Sequence, residues 1–325
     1  MQIFRSLDEI PSGFGPAVVS VGNFDGVHRG HRWILERVKE RSHRLGARSV
    51  AVTFDPHPLC VLRPSHAPRL ITPIAGRLEL LAATGIDAVV VLPFTQELAC
   101  MSAAEFTQNV LREKLGAVEV HEGSNFRFGH RAQAGVDELR ESGRTLGFQV
   151  QVYKALRRRG MVISSSNIRS LIAAGHVRQA RSLMGHAFFV QSTPARGRGI
   201  GGKLLVPTVN LAEYGELLPA FGVYITCLRA AGQVFEAVTN VGNRPTFGAD
   251  SFAVESHILN FRPIELDETT PLELTFLDRL REERQWPSPD ALRAQIGEDV
   301  AKARRYFRLA RHYRRDNRSL SPLGS

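Results

Sequence analysis

The first half of the chain alternates short apolar runs with stretches of helix length, and this alternation limits the possible folds more than any other feature. The apolar runs that predict buried strands are residues 18–21, 50–54, 88–92, 118–121 and 148–152. The stretches that predict helices are roughly 30–44, 75–84, 102–115 and 135–146, the third opening with a capping-box spacing, SAAE. Such alternation predicts a parallel sheet with right-handed crossovers. Because ligands of these sheets gather at the carboxyl ends of the strands, we expect a site there.

From about Gly185 the apolar pattern changes to period two. Four segments show it, VYITCLR, QVFEAVTNV, FAVESHILNF and LELTFLDRL, and Gly, Pro and Asn separate them. Short alternating strands in series predict an antiparallel barrel or sandwich. A closing helix is predicted with Ser288 as N-cap and Pro289 in its first turn. Its apolar stripe would consist of Leu292, Ile296, Val300 and Phe307. The predicted class is therefore α/β plus β, with domains 1–184 and 185–310 and a basic tail, 311–325.

Composition excludes several classes of protein. The chain has 325 residues, 43% of them hydrophobic and 23% charged, which suits two domains that each bury a core. We expect no membrane span, because no apolar run reaches about eighteen residues. The N-terminal MQIFRSLDEI lacks the apolar stretch of a secretory signal, so a cytoplasmic location is expected. The cysteines, Cys60, Cys100 and Cys227, are widely spaced, which predicts buried reduced thiols rather than a disulfide or zinc site.

The formal net charge of +10 and the pI near 10.1 allow either nucleic acid or an anionic substrate as partner. Much of the excess is local, in the run 157–159 and in the C-terminal stretch ARRYFRLARHYRRDNR. A solvated helix face and tail explain these runs equally well. The alternating C-terminal strands show no clustered basic and aromatic face, so we expect no nucleic-acid partner.

The stretch VGNFDGVHRGH, residues 21–31, follows the first predicted strand and opens the first predicted helix. A helix that begins after a glycine-rich turn offers backbone N–H groups and a positive dipole end to phosphate. His28 and His31 flank Gly30 at that helix start. Both imidazoles can therefore donate hydrogen bonds to charge that develops in phosphoryl or nucleotidyl transfer. Two surface histidines on a first helical turn are the alternative, which the spacing after a strand and a G-N-F-D-G turn disfavours.

Three further blocks in the first half carry polar or aromatic groups suited to ligands. In SSSNIR, residues 164–166 can cap a helix and offer hydroxyls to phosphate, and Arg169 adds a charge one turn on. In FDPHP, two prolines stiffen a loop that holds an acid and a histidine. In GSNFRFG, Phe126 and Phe128 can stack on a planar ring, and Asn125 can hydrogen-bond a ligand. A serine cap, a plain turn and two strand aromatics are the alternatives.

Two features of the second half suit phosphate chemistry. The stretch GRGIGGKLLVPTVN is a glycine-dense loop whose backbone can approach phosphate, and the Thr208 hydroxyl can bind Mg²⁺. It is not a Walker loop, because the lysine and the threonine are not adjacent. Glu255 lies on the strand face opposite Val254 and Ser256. A carboxylate there can take the proton of an alcohol during phosphoryl transfer, although an exposed strand glutamate is the plainer alternative.

In order, GNFDGVHRGH, VTFDPHP, GSNFRFG and ISSSNIR resemble the signature blocks of the bacterial bifunctional riboflavin kinase/FAD synthetases. The loop ending in P-T-V-N and the pattern E-x-H-x-L-x-F extend the resemblance to nearly the whole chain, except the last fifteen or so residues. H-x-G-H alone also occurs in class I aminoacyl-tRNA synthetases, but no K-M-S-K-S-like second signature is present. The resemblance implies an N-terminal Rossmann-like nucleotidyltransferase module and a C-terminal riboflavin kinase barrel. Riboflavin would be phosphorylated with MgATP to FMN, and AMP transferred from ATP to FMN would give FAD and pyrophosphate.

The resemblance also implies roles for individual residues. Catalysis falls to His28, His31, Arg169 and Glu255. ATP binding falls to Gly22, Gly30, Ser164, Ser165, Arg169, Gly197, Gly199 and Gly201. Flavin binding falls to Asn23, Asp25, Asp55, His57, Pro58, Asn125, Phe126 and Phe128. Magnesium binding falls to Thr208 and Asn210.

The kinase loop departs from the family pattern at three positions. Leu205 and Val206 replace a usual Gly-Phe pair, and Gly202 stands where an arginine is common. An alternative therefore stays open: a single-activity FMN adenylyltransferase whose barrel binds flavin without catalysing phosphorylation.

Overall fold

The computed structural model of the chain describes residues 1–195, 202–204, 208–243 and 252–319. The chain divides into two compact units. The first comprises Met1–Ile168 with Leu183–Gly185, and the second comprises Arg169–Ser182 with His186–Ser325. In the described part of the chain, no helix is both long enough and apolar enough to cross a membrane.

A six-stranded, fully parallel sheet organises the N-terminal unit. Its strands are β1 Gln2–Phe4, β2 Ala17–Val21, β3 Arg48–Asp55, β4 Ala88–Pro93, β5 Ala117–Gly123 and β6 Gln149–Tyr153. They lie in the order β1-β4-β3-β2-β5-β6, so the direction of winding reverses between β2 and β5. All five predicted strands are confirmed. The short edge strand β1 was not predicted, because two of its three residues are exposed and no apolar run marks it.

Helices alternate with the strands of this unit, and two more form the connection that follows it. They are α1 Arg29–Leu45, α2 Pro58–Leu62, α3 Ile74–Ala82, α4 Gln96–Cys100, α5 Ala103–Glu105 continued by a π-helix Phe106–Lys114, α6 Val136–Leu146, α7 Ser165–Ala173 and α8 Val177–Met184. A small hairpin, β7 Arg157–Arg158 with β8 Met161–Val162, precedes α7. The predicted capping box is confirmed: Ser102 Oγ accepts the Glu105 N–H at 3.2 Å, and Glu105 accepts the Ser102 N–H at 2.8 Å.

The central strands are apolar without interruption because both faces of the sheet are covered. Val50 and Val52 of β3 join the core that includes Val110 of the π-helix and Leu139 of α6. Ala51, between them, joins the opposite core with residues of α1 and α3. Cys60 and Cys100 lie exposed on the short helices α2 and α4, so the prediction that they are buried was wrong. No disulfide joins the three cysteines.

The C-terminal unit is built on antiparallel strands. They are β9 Phe188–Ser192, β10 Gly202–Leu204, β11 Thr208–Asn210, β12 Gly222–Ala230, β13 Gln233–Asn243, β14 Phe252–Ile258, β15 Ile264–Leu266 and β16 Leu272–Glu282. Six of them form a sheet in the order β11-β14-β13-β12-β16-β9, and β10 pairs with β15. Beyond β9, the Ala195 N–H donates to the Asn210 carbonyl at 2.8 Å, and Pro194 pairs with Leu211. The first and last strands therefore meet, and the sheet curls as the barrel prediction requires.

The closing helix, α9 Pro289–Ser319, begins as predicted, with Ser288 Oγ accepting the Ala291 N–H at 3.2 Å. Its predicted apolar stripe is only partly correct. Phe307 and the neighbouring Ala303 are buried against β12 and β13, whereas Leu292 and Ile296 are 39% and 47% exposed. The helix therefore packs on the sheet through its middle rather than through its first turns.

Candidate active sites

A cavity of about 550 Å³ opens at the carboxyl ends of the parallel strands. The ends of β2 and β5 form its floor, and the starts of α1 and α7 form part of its wall. This is the position where the strand order reverses, the usual ligand site of such sheets. Eleven of the residues predicted for this half line it: Gly22, Asn23, His28, Gly30, His31, Pro58, Asn125, Phe126, Phe128, Ser164 and Ser165.

The loop between β2 and α1 turns through unusual backbone conformations. Phe24, Gly26 and Val27 have φ values of 47°, 79° and 32°, in the region that side chains disfavour. A Cβ at Gly26 would also lie 3.2 Å from the Ile71 side chain. Phe24 and Val27 are 2% and 0% exposed, so burial of both in the core holds the turn in this strained shape. The turn directs the start of α1 into the cavity.

His28 is the N-cap of α1, and its Nδ1 accepts the backbone N–H of His31 at 3.3 Å. Because Nδ1 accepts, the neutral ring carries its proton on Nε2. Gly30 makes room for this ring: a Cβ there would lie 3.1 Å from Cε1 and 3.2 Å from Nδ1 of His28. The glycine of H-x-G-H therefore has a steric reason that the motif alone did not reveal.

The two imidazoles stack with ring centroids 3.6 Å apart and planes 12° from parallel. Burial of the His31 ring, followed by the nearby His28 and Arg77, lowers the pKa of His31 well below its ordinary value. His31 is therefore neutral at physiological pH, and stacked rings do not have to accommodate two positive charges. Such a pair presents polar N–H groups to an anion at a fixed position, the arrangement that stabilises developing charge.

The start of α7 forms a second wall of the cavity. Ser164 Oγ accepts the Asn167 N–H at 3.2 Å, so this serine caps the helix. Ser165 Oγ donates to the Asp25 carbonyl at 2.9 Å and ties the helix start to the loop that precedes α1. The two helix starts that the sequence assigned to phosphate thus lie beside one cavity. Arg169 follows one turn on in α7 and is not among the residues that line it.

Aromatic side chains form the wall next to the end of β5. Phe126 and Phe128 have ring centroids 5.3 Å apart and planes 16° from parallel, and Phe106 packs on Phe128. Asn125 stands beside them, in the turn where the Phe126 N–H donates to the Gly123 carbonyl at 2.9 Å. This wall suits a planar ring better than a phosphate.

Three predicted flavin residues do not line the cavity: Asp25, Asp55 and His57. Asp25 is 1% exposed, and its carboxylate accepts the backbone N–H groups of Ile71 and Thr72 at 3.1 and 2.9 Å. This carboxylate anchors the segment that leads into α3. The flavin roles of these three residues remain predictions.

His57 acts on the cavity through a neighbour. Its Nδ1 accepts the Leu59 N–H at 3.2 Å and caps α2. Its Nε2 lies 3.2 Å from the amide nitrogen of Asn23, a residue that does line the cavity. His57 therefore orients Asn23 from behind.

Sequence analysis missed two buried polar residues near this site. Glu122 lines the cavity at the end of β5, although the predicted strand stopped one residue before it. Its position two residues after Val120 could have indicated that it lies on the same strand face, since side chains two apart in a strand share a face. Arg77 is 0% exposed, and its Nη1 donates to Thr53 Oγ1 and to the Phe54 carbonyl at 3.2 and 3.0 Å. Nothing in its helical context marked Arg77 as buried.

In the C-terminal unit, strand register aligns the predicted kinase residues. Asn210 of β11 pairs with Glu255 of β14, which pairs in turn with Asn240 of β13. Thr208 pairs with His257 in the next row of the same face. The opposite face carries the buried Val254, Ser256 and Ile258, whereas Glu255 is exposed, as the alternation predicted.

The structure describes only part of the kinase loop. Gly197, Gly199, Gly201, Leu205 and Val206 lie outside the described residues. Gly202 opens β10, which pairs with β15. The assignments to these glycines remain predictions.

Two family descriptions match the chain in succession. Residues 11–167 match FAD synthetase, and residues 184–307 match riboflavin kinase. A bifunctional riboflavin kinase/FMN adenylyltransferase from Pseudomonas fluorescens is 34% identical over 305 residues, 94% of this chain and 97% of that protein. The chain belongs to the bifunctional riboflavin kinase/FMN adenylyltransferase family. Relatives of the same name from Escherichia coli K12 and Haemophilus influenzae are 29% and 27% identical and cover 90% and 94% of this chain.

A solved structure supports the fold of this chain. It is the crystal structure of a macrolide-efflux protein from Streptococcus pneumoniae, with a TM-score of 0.79 and 25% identity. The match covers 93% of this chain and 98% of that one, so both units have counterparts there. The parallel nucleotidyltransferase-like sheet and the curled antiparallel sheet with its C-terminal helix are thereby confirmed as the architecture.

Proposed function

We propose that this chain makes FAD from riboflavin in two ATP-dependent reactions, one in each unit. The observation that carries the proposal is the stacked His28 and His31 at a helix start, inside a cavity where the strand order reverses. The riboflavin kinase match and the register of Asn210 with Glu255 support the second activity. Riboflavin, FMN and ATP are then the substrates.

In adenylyl transfer, an oxygen of the FMN phosphate attacks the α-phosphorus of ATP. The bond from that phosphorus to the oxygen it shares with the β-phosphorus breaks, and pyrophosphate leaves. The FMN phosphate is already an anion, so no strong base is needed. His28 donates from Nε2 and the neutral His31 donates beside it, which stabilises the charge on the transferred group. Ser164, Ser165, Gly22 and Gly30 hold ATP phosphates, and Arg169 neutralises part of their charge.

The aromatic wall takes the planar ring of a substrate. Phe126 and Phe128 stack on it, and Asn23, Asn125 and Pro58 complete the flavin contacts. His57 supports Asn23 from behind, and Asp25 anchors the segment that leads into α3. With Asp55 they complete the flavin set that the resemblance implies. Positioning of two large substrates supplies much of the rate enhancement in such a reaction.

In riboflavin phosphorylation, Glu255 accepts the proton of the ribityl alcohol as its oxygen attacks the γ-phosphorus of ATP. The bond from that phosphorus to the oxygen it shares with the β-phosphorus breaks, and ADP leaves. Mg²⁺ fits this site by donor chemistry, because the Thr208 hydroxyl and the Asn210 amide oxygen are hard ligands on one strand. The bound cation would neutralise phosphate charge. Asn210 and Glu255 are direct partners in register, so the metal ligand and the base stand side by side.

We place residues 1–184 in the adenylyltransferase domain, 185–310 in the kinase domain and 311–325 in a basic tail. We also propose a cytoplasmic location, which the exposed thiols of Cys60 and Cys100 fit, because reducing compartments keep such thiols unpaired.

Product analysis tests the proposal directly. The purified chain is incubated with riboflavin, ATP and Mg²⁺, and flavins are separated over time. We expect FMN to appear first and FAD to follow. A chain that makes FAD from supplied FMN but never phosphorylates riboflavin would be the single-activity adenylyltransferase, which the departures at Gly202, Leu205 and Val206 favour. A chain that makes neither product would overturn both readings.

A further inference from the structure

The cavity of the N-terminal unit contains a buried carboxyl group that the proposed mechanism does not use. Glu122 is 3% exposed, and its Oε1 accepts the backbone N–H of Val21 at 2.5 Å. Val21 ends β2 and Glu122 is the penultimate residue of β5, so the carboxyl group bridges the two strand ends at the point where the strand order reverses. Glutamates are rarely buried without a partner of opposite charge, and those in clefts are frequent functional groups.

The surroundings of Glu122 favour its uncharged form. The valines at the ends of the neighbouring strands, Val21 and Val152, flank it. Of the described residues, only the Val21 N–H bonds to its carboxyl group. Burial raises the pKa of Glu122 well above the ordinary value, and the Val21 hydrogen bond opposes this only in part. Burial therefore favours the carboxylic acid form of the side chain, which has one O–H to donate.

The charged and titratable groups that share the cavity do not alter this. His28 and His31 line it from the start of α1, and burial keeps His31 neutral. Arg127 and Arg131 line it from the loop after β5. The Arg127 guanidinium donates to two backbone carbonyls of that loop at 3.1 and 3.0 Å. Glu119, on the opposite face of β5, bonds to Arg41 and His121 and does not line the cavity.

The position of Glu122 indicates which part of a substrate it meets. Phosphate groups belong at the helix starts, beside His28 and Ser164. Glu122 stands instead next to the turn that carries Asn125 and Phe126, where the aromatic wall receives a planar ring. A carboxylic acid can donate to a ring nitrogen or a carbonyl oxygen, whereas a carboxylate would repel the lone pairs of either.

We propose that Glu122 contacts substrate in adenylyl transfer by donating its carboxyl O–H to an uncharged acceptor on the adenine or the flavin ring. This inference rests on the proposed function of the N-terminal unit. Both rings carry suitable acceptors, and the kinetic constants for ATP and FMN separate them. The proposal makes adenylyl transfer sensitive to alkaline pH, since an ionised Glu122 has no proton to donate.

The test measures FAD formation from supplied FMN and MgATP, with kcat/KM for each substrate from roughly pH 6 to pH 9.5. The kcat/KM of the wild type should fall at alkaline pH, by up to about tenfold per pH unit along this limb of the pH profile. Glu122→Gln should lack that limb, because an amide N–H donates at every pH. Glu122→Leu, which cannot donate, should lower kcat/KM by roughly 10- to 100-fold, the range for one buried hydrogen bond. If Glu122→Leu changes the KM for ATP more than the KM for FMN, the contact is to adenine. If it changes the KM for FMN more, the contact is to the flavin.

The matched control is Glu119→Gln, the same change at a glutamate on the other face of β5. This variant should have lower thermal stability, because Arg41 and His121 lose their negatively charged partner. It should keep the alkaline limb of the pH profile. A Glu122→Gln protein that retains the wild-type limb, or a Glu122→Leu protein with wild-type kcat/KM for both substrates, would overturn the inference alone. A wild-type protein that makes no FAD from FMN at any pH would overturn the proposed function of the unit as well.

Discussion

The candidate site of the N-terminal unit lies at the ends of strands, whereas that of the C-terminal unit lies on the face of strands. In the parallel sheet, His28 and Glu122 are 5% and 3% exposed, and the backbone around them is fixed by core residues. In the antiparallel sheet, Asn210 and Glu255 stand in one row and Glu255 is exposed. Burial changes the charge state of groups at the strand ends, while groups on the strand face stay hydrated until substrates cover them.

This difference shows two ways of managing the same phosphate charge. The N-terminal site uses two stacked imidazoles held at a helix start, of which His31 is neutral, so its donors are in place before substrate arrives. The C-terminal site offers hard oxygens and a carboxylate, which need a cation to neutralise phosphate. Variants in one unit should therefore leave the reaction of the other intact.

The largest effect should come from the exposed carboxylate. Glu255→Gln keeps the size of the side chain but cannot accept a proton, so the kcat of riboflavin phosphorylation should fall by roughly 10²- to 10⁴-fold. The KM values should change much less, because the lost interaction belongs to the transition state. Rates of FMN formation at saturating substrates measure this. Glu273→Gln, on β16 of the same sheet, is the control, and a Glu255→Gln protein with wild-type kcat would end the assignment.

The stacked histidines should give the next largest effect. His28→Ala or His31→Ala should lower FAD formation from FMN by about 10²- to 10³-fold, as for a lost transition-state donor. Riboflavin phosphorylation should stay near the wild-type rate. His43→Ala, an exposed histidine in the last turn of the same helix, controls for general effects on α1. Equal losses in both reactions by a folded variant would contradict the two-site comparison.

A smaller effect is expected at the metal ligand. Thr208→Ala should raise the Mg²⁺ concentration for half-maximal FMN formation by roughly 10- to 100-fold, and Thr208→Ser should restore it through the retained hydroxyl. A magnesium titration of the kinase rate measures this, with FAD formation from FMN as the internal control. An unchanged magnesium dependence would show that the site of the C-terminal unit does not bind its cation through Thr208.

The smallest effect concerns stability and pH. The folded state raises the pKa of Glu122, so above the ordinary glutamate value of about 4.3 the unfolded chain releases a proton that the folded chain keeps. The contribution of this group to the free energy of unfolding is full below that value. It then declines as pH rises, by up to about 1.4 kcal/mol per unit, until pH passes the raised value.

Thermal melts of the wild type and Glu122→Gln across this range check the sign. The variant has no ionisable group there, so its stability relative to the wild type should increase with pH. If the stabilities of the two proteins depend on pH in the same way, the carboxyl group of Glu122 is not held in its neutral form.

Local patterns were enough to place most elements and part of the N-terminal site. The alternating valines of residues 118–121 predict a strand, which in the structure continues through Glu122 to Gly123. Spacing alone predicts that Leu292 and Ile296 are buried, but they are exposed, and the buried contacts of α9 with β12 and β13 are made by Ala303 and Phe307. Asp25 was recognised in its motif, while its partners Ile71 and Thr72 lie in a segment that no pattern connects to it.

Features that depend on neighbours along the chain follow from the sequence alone. Periodicity set the strands and helices, the box at Ser102 set a helix start, and H-x-G-H set the N-cap at His28. Only the tertiary structure decided which distant residues meet. The Val21 N–H reaches Glu122 across 101 positions, and Asn210 pairs with Glu255, because strand order and register arise from packing both faces of each sheet. Charge state follows from the same packing, since burial is a property of the folded chain and not of any segment.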